Sequence, residues 1–91
     1  MKRQEQIFNI PERILWRVDD DNAVLFDEDE GAPFLLNPTA TEIWRMVDEG
    51  HSSEAIVTAL CRKYPASPDE QIRRETMELV HELYEKKLLE S

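Results

Sequence analysis

Cys61 is the only thiol in the chain. A zinc or iron–sulfur site needs several clustered thiolate or imidazole ligands, so Cys61 cannot build one by itself, and it has no partner for an intrachain disulfide. Set between Leu60 and Arg62 in a helical pattern, it reads as a small, buried or half-buried side chain rather than a reactive thiol. The imidazoles are equally isolated. His51 follows Gly50, where a helix should stop, and His81 falls on a polar helical face, so each reads as a solvated or capping residue rather than a base or ligand. The acidic runs Asp19-Asp20-Asp21 and Asp27-Glu28-Asp29-Glu30 lack the spaced ligands and closing bidentate glutamate of an EF-hand, and both fall where turns are expected. Gly31 and Gly50 are the only glycines, which leaves no phosphate-cradling loop and no nucleophile elbow. The chemistry-bearing residues therefore point to a chain that is not an enzyme and takes no metal and no organic cofactor.

Charge and length narrow the classes further. The chain has 91 residues and a formal net charge of −9. That length supports one domain, residues 1–91, with one modest core and no room for a deep catalytic cavity. The negative charge repels phosphate backbones, so nucleic acid is excluded as the default partner. The start, Met1-Lys2-Arg3-Gln4-Glu5-Gln6, leads into polar sequence unlike a secretory signal. No later run approaches the roughly 18 apolar residues a membrane span needs. The expectation is a cytoplasmic protein with no membrane partner.

Two halves should share the core, a strand-rich stretch over residues 10–36 and a helix-rich stretch over 37–89. In Ile14-Leu15-Trp16-Arg17-Val18, the residues Ile14, Trp16 and Val18 lie on one face at the two-residue period of a strand. Residues 19–22 read as a turn, and Ala23-Val24-Leu25-Phe26 as a second strand. A polar loop over 27–31 follows, with Gly31 available for a positive φ. Ala32-Pro33-Phe34-Leu35-Leu36 would be the third strand, and Pro33, which cannot donate a ladder hydrogen bond, favours an edge position for it.

Three helices are signalled behind this. Asn37-Pro38 offers a cap and a first-turn proline, in competition with a capping box of Thr39 and Glu42. Ala40, Ile43, Trp44 and Val47 form the apolar face, and Gly50 supplies the stop. Ser52 or Ser53 caps the second helix, whose buried face should hold Ile56, Leu60 and Tyr64 before Pro65 ends it. Ser67-Pro68-Asp69-Glu70 reads as a capped third start, with Glu70 closing a capping box. On that helix Ile72, Thr76, Leu79 and Leu83 point in nearly one direction and should be its core stripe. A second stripe, Arg73, Met77, Val80, Tyr84 and Leu88, lies beside it. An apolar arc this wide exceeds what a surface helix buries, so its second edge must meet another element of the chain or another chain.

The run Leu35-Leu36-Asn37-Pro38-Thr39-Ala40-Thr41-Glu42-Ile43-Trp44, followed by Val47-Asp48-Glu49-Gly50, resembles the opening of the helical half of PqqD-like proteins. The resemblance continues through Ser53-Glu54-Ala55-Ile56, a short helix ending at Tyr64, and a last helix with Leu79, Leu83, Leu88 and Leu89. It spans about Ile10 to Leu89. Glu49 stands between the family's usual aspartate and glycine, Glu75-Thr76 where the family often has aspartate-valine, and Lys87 where a glycine commonly precedes the terminal leucines. Such departures fit a wider PqqD-like relative better than the pyrroloquinoline quinone pathway itself.

The resemblance implies an α+β, winged-helix-like fold, a three-stranded antiparallel sheet followed by three helices. It implies a non-catalytic adaptor that captures the leader of a ribosomally made precursor peptide. The peptide would add beside the third strand, Pro33, Phe34, Leu35 and Leu36, and pack against Arg73, Met77, Val80 and Tyr84 of the third helix. Strand addition draws affinity from free edge amides and carbonyls and selectivity from flanking pockets. The implied partner is a separate modifying enzyme, in some members a radical S-adenosylmethionine enzyme, since this chain lacks a cysteine cluster. Two rival readings remain at this level: a winged-helix DNA-binding regulator, disfavoured by Asp69-Glu70 at the start of its recognition helix, and a structural subunit forming a homodimer through the apolar arc.

Overall fold

The three strand runs pair as a meander because each connection is built for a tight reversal. The computed structural model describes residues 7–91, so the expectation for Met1 to Gln6 lies outside the described residues. Strands β1 (Ile14–Asp19), β2 (Asn22–Asp27) and β3 (Pro33–Leu36) form an antiparallel sheet in the order β1-β2-β3. Asp20 and Asp21 both take positive φ, 57° and 69°. That is the two-residue hairpin turn whose twist matches the strands and which aspartate tolerates better than most residues. It pairs Asp19 with Asn22 and carries the register to Ile14 opposite Asp27. The third strand begins at Pro33, one residue later than Ala32, and runs antiparallel to β2 with Ala23 opposite Leu36.

Helices α1 (Pro38–Asp48), α2 (Ser53–Lys63) and α3 (Asp69–Glu85) follow. Asn37 wins the first cap: its side-chain oxygen accepts from the Ala40 amide at 2.8 Å, with Pro38 in the first turn. The losing candidate, Thr39, leaves Glu42 free for another task described below. Thr41, buried one turn in, receives the Ala23 amide at 2.8 Å on its hydroxyl oxygen and thereby ties α1 to β2. The helix ends at Gly50, φ +94°, where the Gly50 and His51 amides return to the Val47 and Met46 carbonyls, the two-bond closure that a left-handed glycine permits. Ser52, not Ser53, caps α2 by accepting from the Ala55 amide at 3.1 Å. The third start differs from expectation. Pro68 occupies the cap position and no side chain caps the helix, so the Ser67–Glu70 box does not form.

The end of α3 repeats the Gly50 closure with a lysine in glycine's place. Lys87 sits at φ +65°, and the Lys87 and Leu88 amides bond back to the Tyr84 and Leu83 carbonyls. A non-glycine residue is strained there, and the position is held by Arg13, whose Nη2 donates to the Lys87 carbonyl at 2.6 Å. Arg13 also meets Asp27 at 3.3 Å and Asp29 at 3.8 Å, clamping the start of the sheet, the β2–β3 loop and the end of α3 together. Burial pushes the Asp27 carboxyl up, but the Asp29 and Glu30 amides and the Arg13 guanidinium outweigh it and hold it below its ordinary value. Lys87→Gly should stabilise the fold by about 0.5–1 kcal/mol by relieving the left-handed strain, read as a higher midpoint in urea melts. No gain would show that the Arg13 bond already compensates the strain in full.

The core joins the inner face of the sheet, Ile14, Ala23, Leu25 and Leu36, to Ile43, Trp44, Val47, Ile56, Leu60, Ile72 and Leu83 from the helices. Three further members come from the chain ends, Phe8, Leu88 and Leu89. Asn9 and Glu90 bridge through backbone bonds of 2.6 and 2.8 Å, which lays the N-terminal arm against the tail that follows α3. The arm reaches the second stripe of α3 through Phe8, which meets Tyr84. Val80 is 3% exposed and belongs to the core, whereas Leu79, expected in the core stripe, is only half-buried at its edge. Tyr64 is likewise not a core residue: it is exposed at the end of α2, and its hydroxyl donates to Glu42 at 2.7 Å.

Candidate functional site

Among the described residues β3 is an edge strand, paired only to β2. Of the four residues expected there, Leu36 turns its side chain into the core, Phe34 is half-buried, Pro33 is exposed, and Leu35 is 70% exposed. The outer edge of β3 therefore offers unpaired backbone groups, the template an extended peptide needs.

Two contacts place α3 along that edge. Lys86, just past the end of α3, holds its ammonium 5.8 Å from the centre of the Phe34 ring. At the other end of the strand, Asn37 shares a groove of about 350 Å³ with Glu75, Thr76 and Leu79 of α3, floored by Ala40, Ile43 and Leu60. The α3 flank on the groove carries Glu75 and Leu79, and Lys86 follows it just beyond the helix end. These three lie within about 40° of one another at 100° per residue. The groove volume falls in the range of small-molecule and side-chain pockets, and its apolar floor suits an aliphatic or aromatic side chain.

The helix residues named from the sequence lie on the opposite flank, where Val80 is buried, Met77 half-buried, and Arg73 and Tyr84 exposed. Arg73 pairs with Glu54 of α2 at 3.0 Å. Val80 is buried. Tyr84 meets Phe8 edge-on, ring centres 5.7 Å apart at 63°, and Met77 is half-buried between Arg73 and Tyr84 on this same side. Periodicity located both flanks of the core stripe but could not say which one the sheet's edge would face. Lys86, which no apolar pattern marks, is brought to the β3 edge only by the fold.

At the far rim of the groove, Tyr64, Lys63 and Glu42 form a small polar network. Glu42 accepts from both the Lys63 ammonium and the Tyr64 hydroxyl. Burial raises the Glu42 carboxyl, but those two donors outweigh it and hold it below its ordinary value, while the carboxylate pushes the Tyr64 hydroxyl and the Lys63 ammonium up. All three side chains stay in their charged or hydrogen-bonding forms near neutrality and act as a fixed polar lip, not as proton donors or acceptors. Cys61, half-buried, has its thiol pushed up by burial and then by Asp69, the reverse of what a reactive thiolate requires. Among the described residues no three His, Cys, Asp or Glu side chains gather as a metal site, and no helix is long and apolar enough to cross a membrane.

The sequence matches the family described as coenzyme PQQ synthesis protein D (PqqD) over residues 22–89. No curated protein matches it. Two solved structures share the fold. TbiB1 in complex with the TbiA(beta) leader peptide is 29% identical with a TM-score of 0.84, covering 91% of this chain and 95% of that one. Lasso peptide synthetase B1 complexed with the leader peptide is 26% identical with a TM-score of 0.83, covering 92% and 98%.

Proposed function

The chain belongs to the PqqD family, and on that premise we propose that it captures the leader of a ribosomally made precursor peptide and presents it to a separate modifying enzyme. The observation that carries this reading is the unpaired edge of β3 running beside the Glu75–Leu79–Lys86 flank of α3. The leader lies as a fourth strand on residues 33–36, its backbone bonded to the open edge. Alternate side chains turn toward α3, where one apolar group enters the groove above Ala40 and Ile43, and Glu75 and Lys86 select charge at its two ends. The similarity to two proteins seen with leader peptides supports leader capture. The module has no reaction of its own. It works in the cytoplasm, where a precursor peptide leaves the ribosome, and chemistry belongs to the enzyme it serves.

Charge and burial on α3 argue against both rival readings. A recognition helix would bring Asp69 and Glu70 of the first turn of α3 against phosphates, a repulsive arrangement in a chain of net charge −9. The apolar arc that a homodimer would bury is partly used within the chain, with Val80 buried in the core and the Tyr84 ring met edge-on by Phe8.

Strand addition has a signature that side-chain docking lacks. In a β pair only every second residue of the added strand points its amide at the partner edge. A fluorescent leader peptide N-methylated one residue at a time should lose about tenfold or more in affinity, roughly 1.4 kcal/mol, at alternate positions and little between them. Anisotropy titrations read this directly. A flat or non-alternating profile in a peptide that binds when unmodified would rule out strand addition.

A further inference from the structure

Among the described residues no element packs on the outer face of the sheet, although its residues are not those of a solvated face. Across the register, Leu15 lies opposite Phe26 and Phe26 opposite Pro33, and beside that row Arg17 lies opposite Val24 and Val24 opposite Leu35. Leu15 is 51% exposed, Phe26 40% and Leu35 70%. Two adjacent rows spanning all three strands thus present a continuous apolar surface with one guanidinium on it. Antiparallel sheets with one wet face ordinarily alternate apolar-in and polar-out, and a contiguous exposed apolar patch of this kind marks an interaction surface.

Both ends of the patch are acidic. The β1–β2 turn holds Asp19, Asp20 and Asp21, and the β2–β3 loop at the other end holds Glu28, Asp29 and Glu30, all exposed. This charge pattern chooses the occupant. A second copy would set acid against acid at each rim, adding to a net charge already at −9, and like charges facing across an interface are strongly unfavourable. A complementary surface has an apolar centre with lysine or arginine on both sides.

We infer that the outer sheet face, centred on Leu15 and Phe26, is the docking surface for the enzyme that acts on the captured peptide, through an apolar ridge flanked by basic side chains. The inference rests on the capture reading for the identity of the partner. Its position explains presentation: a leader added to β3 extends the same sheet, so the row Leu15–Phe26–Pro33 continues onto the peptide. An enzyme seated on that row touches module and peptide together. Binding there leaves the α3 side of the peptide and the groove undisturbed.

The probe is the purified peptide-modifying enzyme encoded beside the precursor, titrated against immobilised module with and without leader, while a labelled leader is titrated separately by anisotropy. The variant Leu15→Glu with Phe26→Glu should weaken enzyme binding about tenfold or more and leave leader affinity within roughly twofold. The variant Glu28→Lys with Glu30→Lys lies on exposed loop positions and should weaken enzyme binding severalfold, with high salt bringing the unaltered module down toward it. Unchanged enzyme affinity in either variant, folded by its thermal melt, overturns the docking surface, and the lysine variant decides alone if the glutamate variant does not fold. Sedimentation that shows a dimer abolished by the glutamate variant would also overturn it in favour of self-association. A leader that binds no variant, the unaltered module included, overturns the capture reading instead, and the enzyme titration without leader still reports on this face.

Discussion

Val80→Asp is expected to leave no stably folded protein. The side chain is 3% exposed in the core cluster that also holds Phe8, Leu83, Leu88 and Leu89, and an aspartate there would be desolvated among apolar side chains. An unpaired charge at such a site costs about 3–5 kcal/mol or more, against a total stability of roughly 5–15 kcal/mol for a domain of this kind. The same substitution on the exposed flank of a peptide groove would leave the fold intact, so the measurement separates two positions for Val80. Leu79→Ala is the companion: at the edge of the core and on the groove, it should keep a cooperative melt and weaken leader binding by about tenfold. Circular dichroism melts with anisotropy titrations decide both. A well-folded Val80→Asp protein would displace Val80 from the core and with it the assignment of the β3-facing flank.

Trp44→Ala should cost about 3–5 kcal/mol. The indole is fully buried in α1 and meets Trp16 of β1 edge to face, ring centres 6.0 Å apart at 84°. Truncation would open a large cavity where the sheet meets the helices and would remove an aromatic contact worth a further fraction of a kcal/mol. Its Nε1 is buried and finds no acceptor among the described residues, a cost the native fold already carries. Trp44→Phe should therefore lose distinctly less than Trp44→Ala, because it keeps most of the ring and removes the unpartnered donor. Urea melts of the two variants give the difference. A loss below about 1 kcal/mol for Trp44→Ala would contradict a buried ring.

The elements of this fold are legible in the sequence because their causes are local. The Asp20-Asp21 turn, the cap at Asn37, the stop at Gly50 and the alternation from Ile14 to Val18 each depend on a few neighbouring residues, and dihedral preference and side-chain spacing express them without the rest of the chain. Where local signals competed, geometry chose. Asn37 prevailed over Thr39, and Pro68 displaced the expected Ser67 cap. Tyr64 has an apolar ring at a helical spacing that predicts burial, yet Glu42, 22 residues earlier, draws its hydroxyl to the surface.

The candidate site was half legible for the same reason. Pro33 and the order of the runs sufficed to place β3 at an edge and so to expose its backbone. The helix face was not, since a period of 3.6 residues gives angles among side chains but not the rotation of the helix against the sheet. That rotation is set by packing between remote segments: α3 against α2, Phe8 on Tyr84, Asn9 on Glu90, and Arg13 on the Lys87 carbonyl. They turn Val80 into the core and Leu79 toward β3. The sequence alone determined a sheet edge, three capped helices and a family. The packing of α3 against α2 and the two chain ends decided which side chains line the groove, because only packing between remote segments can choose between two faces of equal apolarity.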